Sequence, residues 1–115
     1  MSAPELYIGL MSGTSLDGVD AVIADFSRRP PVVHAAAHYP FPDGLRPEPL
    51  ALQAPGADEI NRAAPAANAL AGAYAAAVEA VLKADGKTAD SIEAIGCHGQ
   101  TVRHRPERGF TCQIG

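Results

Sequence analysis

The chain has 115 residues, 47% hydrophobic and 19% charged, with a formal net charge of -4 and a pI of about 5.4. A chain this short buries roughly two-thirds of its unfolded surface, which allows one small domain and excludes a two-lobed enzyme carrying its own interdomain cleft. The acidic balance gives no electrostatic reason to seek nucleic acid or an anionic membrane, and the start, MSAPELYIGLMSG, has neither a basic stretch nor a long apolar run, so no signal peptide or membrane span is expected there and the cytoplasm is the default location.

The run LYIGLM from Leu6 to Met11 predicts a buried strand, and VDAVIADF from Val19 to Phe26 predicts a second, antiparallel to it. Between them Asp17-Gly18 is a hairpin turn signal, with Gly18 expected to supply positive φ. Arg28, Arg29, Pro30 and Pro31 end the second strand, and Val32 to Tyr39 returns as a third, rich in alanine. His34 and His38 share one face of it, but two ligands do not close a metal site, so a structural role is expected for both. The prolines from Pro40 to Pro55 predict an irregular surface stretch with a short helical turn around Leu50 to Gln53.

Asp58 is the expected N-cap of an Ala-rich helix whose Leu70, Tyr74, Val78, Val81 and Leu82 form one core-facing stripe, with Gly86 as the stop. Pro65 has no amide hydrogen for the helical ladder, so a kink or a junction of two helices is expected there. Ile92 to Cys97 predicts a short buried strand and Phe110 to Ile114 a further one. Cys97 and Cys112 lie outside any CxxC spacing and are expected to be reduced core residues. The order β-β-β-α-β predicts an α/β fold in which a mixed sheet is covered by helix and the last strand runs parallel to the first.

Residues 9–20 read GLMSGTSLDGVD, a polar and glycine run longer than turning a hairpin needs. Backbone amides, the Thr14 and Ser15 hydroxyls and the small Gly13 and Gly18 suit a phosphate group, and Asp17 or Asp20 could hold magnesium through its waters. A second group, CHGQTVRHRPERG at residues 97–109, places His98, Gly99, Gln100, Thr101 and His104 directly after a strand end, where α/β sheets present ligand-binding groups. Gln100 and Thr101 suit the hydroxyl or amide groups of a sugar, and Arg103, Arg105 or Arg108 a carboxylate or phosphate. His98 and His104 have no carboxylate partner in view and are assigned to binding rather than acid-base work. No Walker A, GxGxxG or GxSxG pattern is present, which removes P-loop NTPases, dinucleotide enzymes and α/β-hydrolases. An RNase H-like nuclease would need a carboxylate cluster that Asp17, Asp20 and Asp25 do not make.

The phrases GLMSGTSLDGVDAV and AIGCHGQTVRHRP, in this order and separated by an Ala-rich helix, closely resemble the anhydro-N-acetylmuramic acid kinase family. The resemblance implies the RNase H-like fold of actin, hexokinase and Hsp70, with residues 1–115 as the N-terminal part of the first such domain and the second domain absent. It implies Gly13, Thr14, Ser15, Leu16, Asp17, Gly18, Val19 and Asp20 as the ATP phosphate-binding loop, the HGQT segment on the sugar side, and a catalytic aspartate beyond residue 115. The implied chemistry uses ATP and magnesium to convert 1,6-anhydro-N-acetylmuramic acid and water to N-acetylmuramic acid 6-phosphate and ADP in murein recycling. Small-molecule substrates, no nucleic acid, no membrane and a homodimer are the implied partners. The chain alone is expected to be inactive. The alternative is a non-catalytic phosphate- or nucleotide-binding module.

Overall fold

Strand β1 (Leu6–Met11) buries Leu6, Ile8 and Leu10 and turns Tyr7 and Met11 outward, the period of two that puts one face of a strand on a core. In the computed structural model, which describes residues 3–115, β1 pairs antiparallel with β2 (Gly18–Asp25), setting Leu6 opposite Asp25 and Met11 opposite Asp20. β2 pairs antiparallel with β3 (Val32–Pro40), and β4 (Ile92–Cys97) runs parallel to β1, so the mixed sheet has the order β3-β2-β1-β4. This is the expected α/β arrangement. The short helix α1 (Pro47–Ala51) stands in the proline-rich stretch, slightly ahead of the expected turn, and α2 (Glu59–Ala84) crosses back over the sheet.

Leu6, Ile8, Leu10, Val19, Ala21 and Ile23 from the sheet meet Leu70, Ala73, Tyr74, Ala77, Val81 and Leu82 from α2 in one buried cluster. The helical stripe is therefore the expected one, with Val78 at its edge and small alanines filling the rows between. By length and hydropathy α2 could cross a bilayer; in this fold the sheet takes up its apolar stripe.

The ends of α2 follow backbone geometry more than side-chain capping. Asp58 holds the N-cap position in the left-handed region, φ 54, and makes no cap bond of its own; its carboxylate accepts a bond from Asn61 Nδ2 at 2.8 Å instead. At the other end Gly86 takes φ 62, and its amide reaches Lys83 O while that of Lys87 reaches Leu82 O at 2.9 Å. That pair of bonds is the Schellman stop. α2 runs unbroken through Pro65, so no junction of two helices exists there. Pro65 is exposed, and the Asn61 carbonyl it leaves without a helical donor lies on a turn that water can serve.

Two expectations are corrected. Ile92 to Cys97 is a strand but not a buried one: Ile95 is 51% exposed, because β4 is the sheet edge and α2 packs over β1, β2 and β3. Cys97 and Cys112 are free and exposed rather than core residues, since Cys97 ends that edge strand and Cys112 lies in β6 (Phe110–Ile114), which pairs with β5 (Gln100–Arg105) in a separate hairpin. The sheet face away from α2 is also open: Tyr7 and Phe26 meet edge to face at 5.5 Å and line an apolar groove of about 470 Å³ with Gly9, Val22, Ala24 and Gly96.

Asp25 ties the far end of the sheet. It is 3% exposed and accepts bonds from Ser27 Oγ at 2.6 Å, Ser27 N at 2.9 Å and Glu5 N at 3.0 Å. The Ser27 hydroxyl, then the two amides, hold its pKa down from the ordinary 3.8 to about 2. The carboxylate therefore adds stability that is complete above about pH 3.8 and is lost as pH falls through about 2. Asp25→Asn is expected to lower stability at neutral pH and to flatten the acid limb of the pH–stability curve, read by urea unfolding across that range. An equal loss at both ends would contradict this. His34 sits 4.0 Å from Asp25 and 3.7 Å from Asp85, linking β3 to the end of α2, so the structural role expected for it fits its position.

Candidate functional site

The loop of residues 12–17 joins β1 to β2 at the end of the sheet, and its carbonyl groups are held by donors from distant parts of the chain. Gln100 Nε2 donates to Gly13 O at 3.1 Å, Gln53 Nε2 to Thr14 O at 3.0 Å, Arg46 Nε and Nη2 to Ser15 O at 3.3 Å, and the Phe41 amide to Asp17 O at 3.3 Å. In a planar trans peptide the N–H points opposite to the C=O of the preceding residue. Holding Gly13 O and Thr14 O therefore aims the amides of Thr14 and Ser15 away from their clamps, and neither amide donates to another described residue. The Leu16 amide closes the turn on Gly13 O at 3.1 Å.

Inside the loop the roles differ from those expected of single residues. Leu16, not Gly18, takes the positive φ, at 57, and its side chain is fully buried, which anchors a conformation that otherwise favours glycine. Gly18 belongs to β2, where a Cβ would stand 2.5 Å from Tyr39 O; glycine is needed for close strand approach. Val19 is fully buried in the core, so only its backbone can serve a ligand. Thr14, Ser15 and Asp17 are exposed, with the exposed Arg46 guanidinium beside Ser15. The arrangement offers two free amides, two hydroxyls and a cation, which is the chemistry of an anion site.

Asp20 is exposed in β2, and its Oδ1 lies 2.8 Å from His38 Nδ1, so His34 and His38 each face carboxylates rather than one another. Asp17 carries its carboxylate on the loop with no hydrogen-bond partner among the described residues. Among those residues no group of three or more His, Cys, Asp or Glu side chains is placed to hold a metal. A single carboxylate acting through water, with ligand phosphates completing the shell, matches the usual magnesium pattern, and Asp17 fits it.

The second group divides. His98 is exposed, and its amide bonds Leu10 O at 3.0 Å; Gly99, at φ 79, gives its carbonyl to Ser12 Oγ at 3.4 Å. Gln100 is fully buried against the loop. Residues 100–105 form strand β5, a hairpin partner to β6. Thr101 and His104 bond across that hairpin, to Gln113 at 3.4 Å and Thr111 at 2.8 Å. Arg103 is spent on Glu59 at 2.5 Å, which lowers the Glu59 pKa, and Arg105 on Glu107 at 2.8 Å.

With that geometry in place, comparison with known proteins is decisive. A family model described as anhydro-N-acetylmuramic acid kinase matches residues 5–115. The chain belongs to this family. It is 55% identical over 113 residues to the anhydro-N-acetylmuramic acid kinase of Burkholderia thailandensis, 57% over 111 to that of Cupriavidus pinatubonensis and 58% over 113 to that of Cupriavidus metallidurans. These alignments cover 97%, 93% and 95% of this chain and 29%, 30% and 30% of the relatives. The chain thus spans less than a third of the length of the curated relatives it matches.

Both sequence blocks lie within the anhydro-N-acetylmuramic acid kinase match. Reading the motifs alone misses four residues that shape the loop: Ser12, Arg46, Gln53 and Tyr74. Ser12 Oγ lies 2.8 Å from Tyr74 Oη, with both side chains buried, and burial pushes the Tyr74 pKa up. Helical spacing reveals Tyr74 as a core residue; only the fold shows that its hydroxyl reaches the loop. Arg46 and Gln53 come from the proline-rich stretch, and no local pattern announces their contacts.

Proposed function

We propose that this chain is the nucleotide-phosphate part of an ATP-dependent sugar kinase that converts 1,6-anhydro-N-acetylmuramic acid to N-acetylmuramic acid 6-phosphate in murein recycling. The observation that carries the reading is the clamped loop, whose carbonyls are bonded from outside while the Thr14 and Ser15 amides stay free for phosphate oxygens. Family membership supports the sugar substrate and the geometry supports the phosphate end of the reaction; a cytoplasmic location is part of the same proposal.

In the proposed reaction a water oxygen bonds to the anomeric carbon as its bond to O6 breaks, and O6 takes the γ-phosphoryl of ATP as the bond to ADP breaks. Here the residues Gly13 to Asp20 cradle the phosphates, Arg46 adds positive charge beside them, and Thr14 and Ser15 can donate hydroxyl hydrogens. Bound magnesium would neutralise phosphate charge, with Asp17 holding it through water. His98, at the junction of the loop and the hairpin, faces the sugar side. The general base that activates water comes from the part of the kinase beyond these residues, as does the second domain.

The mixed sheet suits the first sheet of an RNase H-like domain, and the open apolar face with Tyr7 and Phe26 together with the exposed edge β4 are the surfaces on which the rest of that domain would pack. The test is phosphoryl transfer by the full-length gene product, followed by mass: a product heavier than the anhydro sugar by one water and one phosphoryl group. Nucleotide binding without transfer to any sugar would instead support a non-catalytic phosphate-binding module.

A further inference from the structure

Gln100 stands in the segment assigned to the sugar side, yet its side chain is fully buried and its amide nitrogen is bonded to the phosphate loop at Gly13 O, 3.1 Å away. The orientation is set by chemistry: the reverse would put two acceptors against each other, so the donor end faces Gly13. The other end, Oε1, is buried without a donor among the described residues. A buried acceptor left unpaired costs stability, and such groups persist where they set a geometry the site needs. Just ahead of it the connection from β4 to β5 is tied to the end of β1 by the His98 amide on Leu10 O at 3.0 Å and to the loop by Ser12 Oγ on Gly99 O at 3.4 Å.

We propose that Gln100 is a positioning residue of the phosphate loop: reaching across from the start of β5, it holds the Gly13 carbonyl and thereby sets the direction of the Thr14 amide. The same carbonyl also receives the Leu16 amide at 3.1 Å, so one side chain steadies the turn that carries the free donors. Because the hairpin and the loop share this bond, a ligand that shifts the hairpin changes nucleotide affinity, and nucleotide changes that ligand's affinity by the same factor. The proposal rests on reading the loop as a phosphate site, and its structural half can be tested apart from that reading.

The test compares Gln100→Met, which keeps the volume and removes the donor, with Val102→Ala in the full-length gene product. Val102 is buried in a cluster with Leu52 and Ala66, none of which belongs to the loop, so it reports hairpin destabilisation. Gln100→Met is expected to weaken ADP binding roughly fivefold to tenfold, the loss of about one hydrogen bond, and to speed hydrogen exchange at the Leu16 amide. Val102→Ala is expected to lower the melting temperature with ADP affinity and Leu16 exchange unchanged. Should Gln100→Met fold poorly, Gln100→Asn serves, since it keeps the amide but is one methylene too short to reach. Wild-type ADP affinity and wild-type Leu16 exchange in these variants would overturn the proposal. Faster Leu16 exchange in a protein that never binds ADP would uphold the positioning role and overturn the phosphate reading instead.

Discussion

Gly18→Ala is expected to destabilise the fold by about 3 kcal/mol, the upper end of the usual range for forcing extra atoms into packed structure. The added Cβ would stand 2.5 Å from the Tyr39 carbonyl oxygen and 2.7 Å from His38 Nε2. The histidine ring can swing away, but the carbonyl belongs to β3, which is paired along the whole length of β2, so the strands themselves must part. They part where the Asp17 carbonyl meets the Phe41 amide, and the loop loses one of its clamps. Gly72→Ala is the control: beyond its own helix backbone an added Cβ would meet no atom within 4 Å, and in a helix interior the change should stabilise by roughly 0.5–1 kcal/mol. Urea unfolding of both variants measures the contrast. A Gly18→Ala protein as stable as the parent would mean that β2 and β3 do not approach as described.

Tyr74→Ala is expected to cost about 3–5 kcal/mol, as for other buried aromatic truncations. The ring lies between the helix and the sheet at 4% exposure, in the cluster that holds Leu70 and Ala77, and its loss opens a cavity at the centre of the core. Tyr74→Phe separates the hydroxyl from the ring. It should cost about 1–2 kcal/mol, because the buried Ser12 Oγ loses its 2.8 Å partner and keeps only the 3.4 Å contact with Gly99 O. Both changes should also weaken nucleotide binding, since Ser12 opens the loop. Unfolding free energies from chemical denaturation check the series, and a Tyr74→Phe protein indistinguishable from the parent would show that the hydroxyl pair does not form.

Elements whose apolar residues repeat at a strand or helix period were legible from sequence. The first three strands, the stripe from Leu70 to Leu82 and the glycine stop at Gly86 all follow from local pattern and local backbone chemistry. What escaped was set by distance along the chain or by the absence of a covering neighbour. Strand β6 was legible from Phe110 to Ile114, but its partner β5 was not, because residues 100–105 carry Arg103, His104 and Arg105 in place of an apolar run. Cys97 and Ile95 read as core because an apolar run looks the same at a sheet centre and at an edge. The loop between β1 and β2 was legible as a polar, glycine-bearing run longer than a hairpin needs. Its clamps by Arg46, Gln53, Tyr74 and Gln100 were not, since each contact spans a long stretch of chain that no local pattern encodes.

The measurement that tests the kinase assignment most directly is phosphoryl transfer by the full-length gene product, run with ATP, magnesium and 1,6-anhydro-N-acetylmuramic acid in water enriched in oxygen-18. The expected products are ADP and a sugar 6-phosphate that carries the label at the anomeric hydroxyl and not in the phosphate group. ADP release without any phosphorylated sugar, or a sugar phosphate that keeps its anhydro ring, would contradict it.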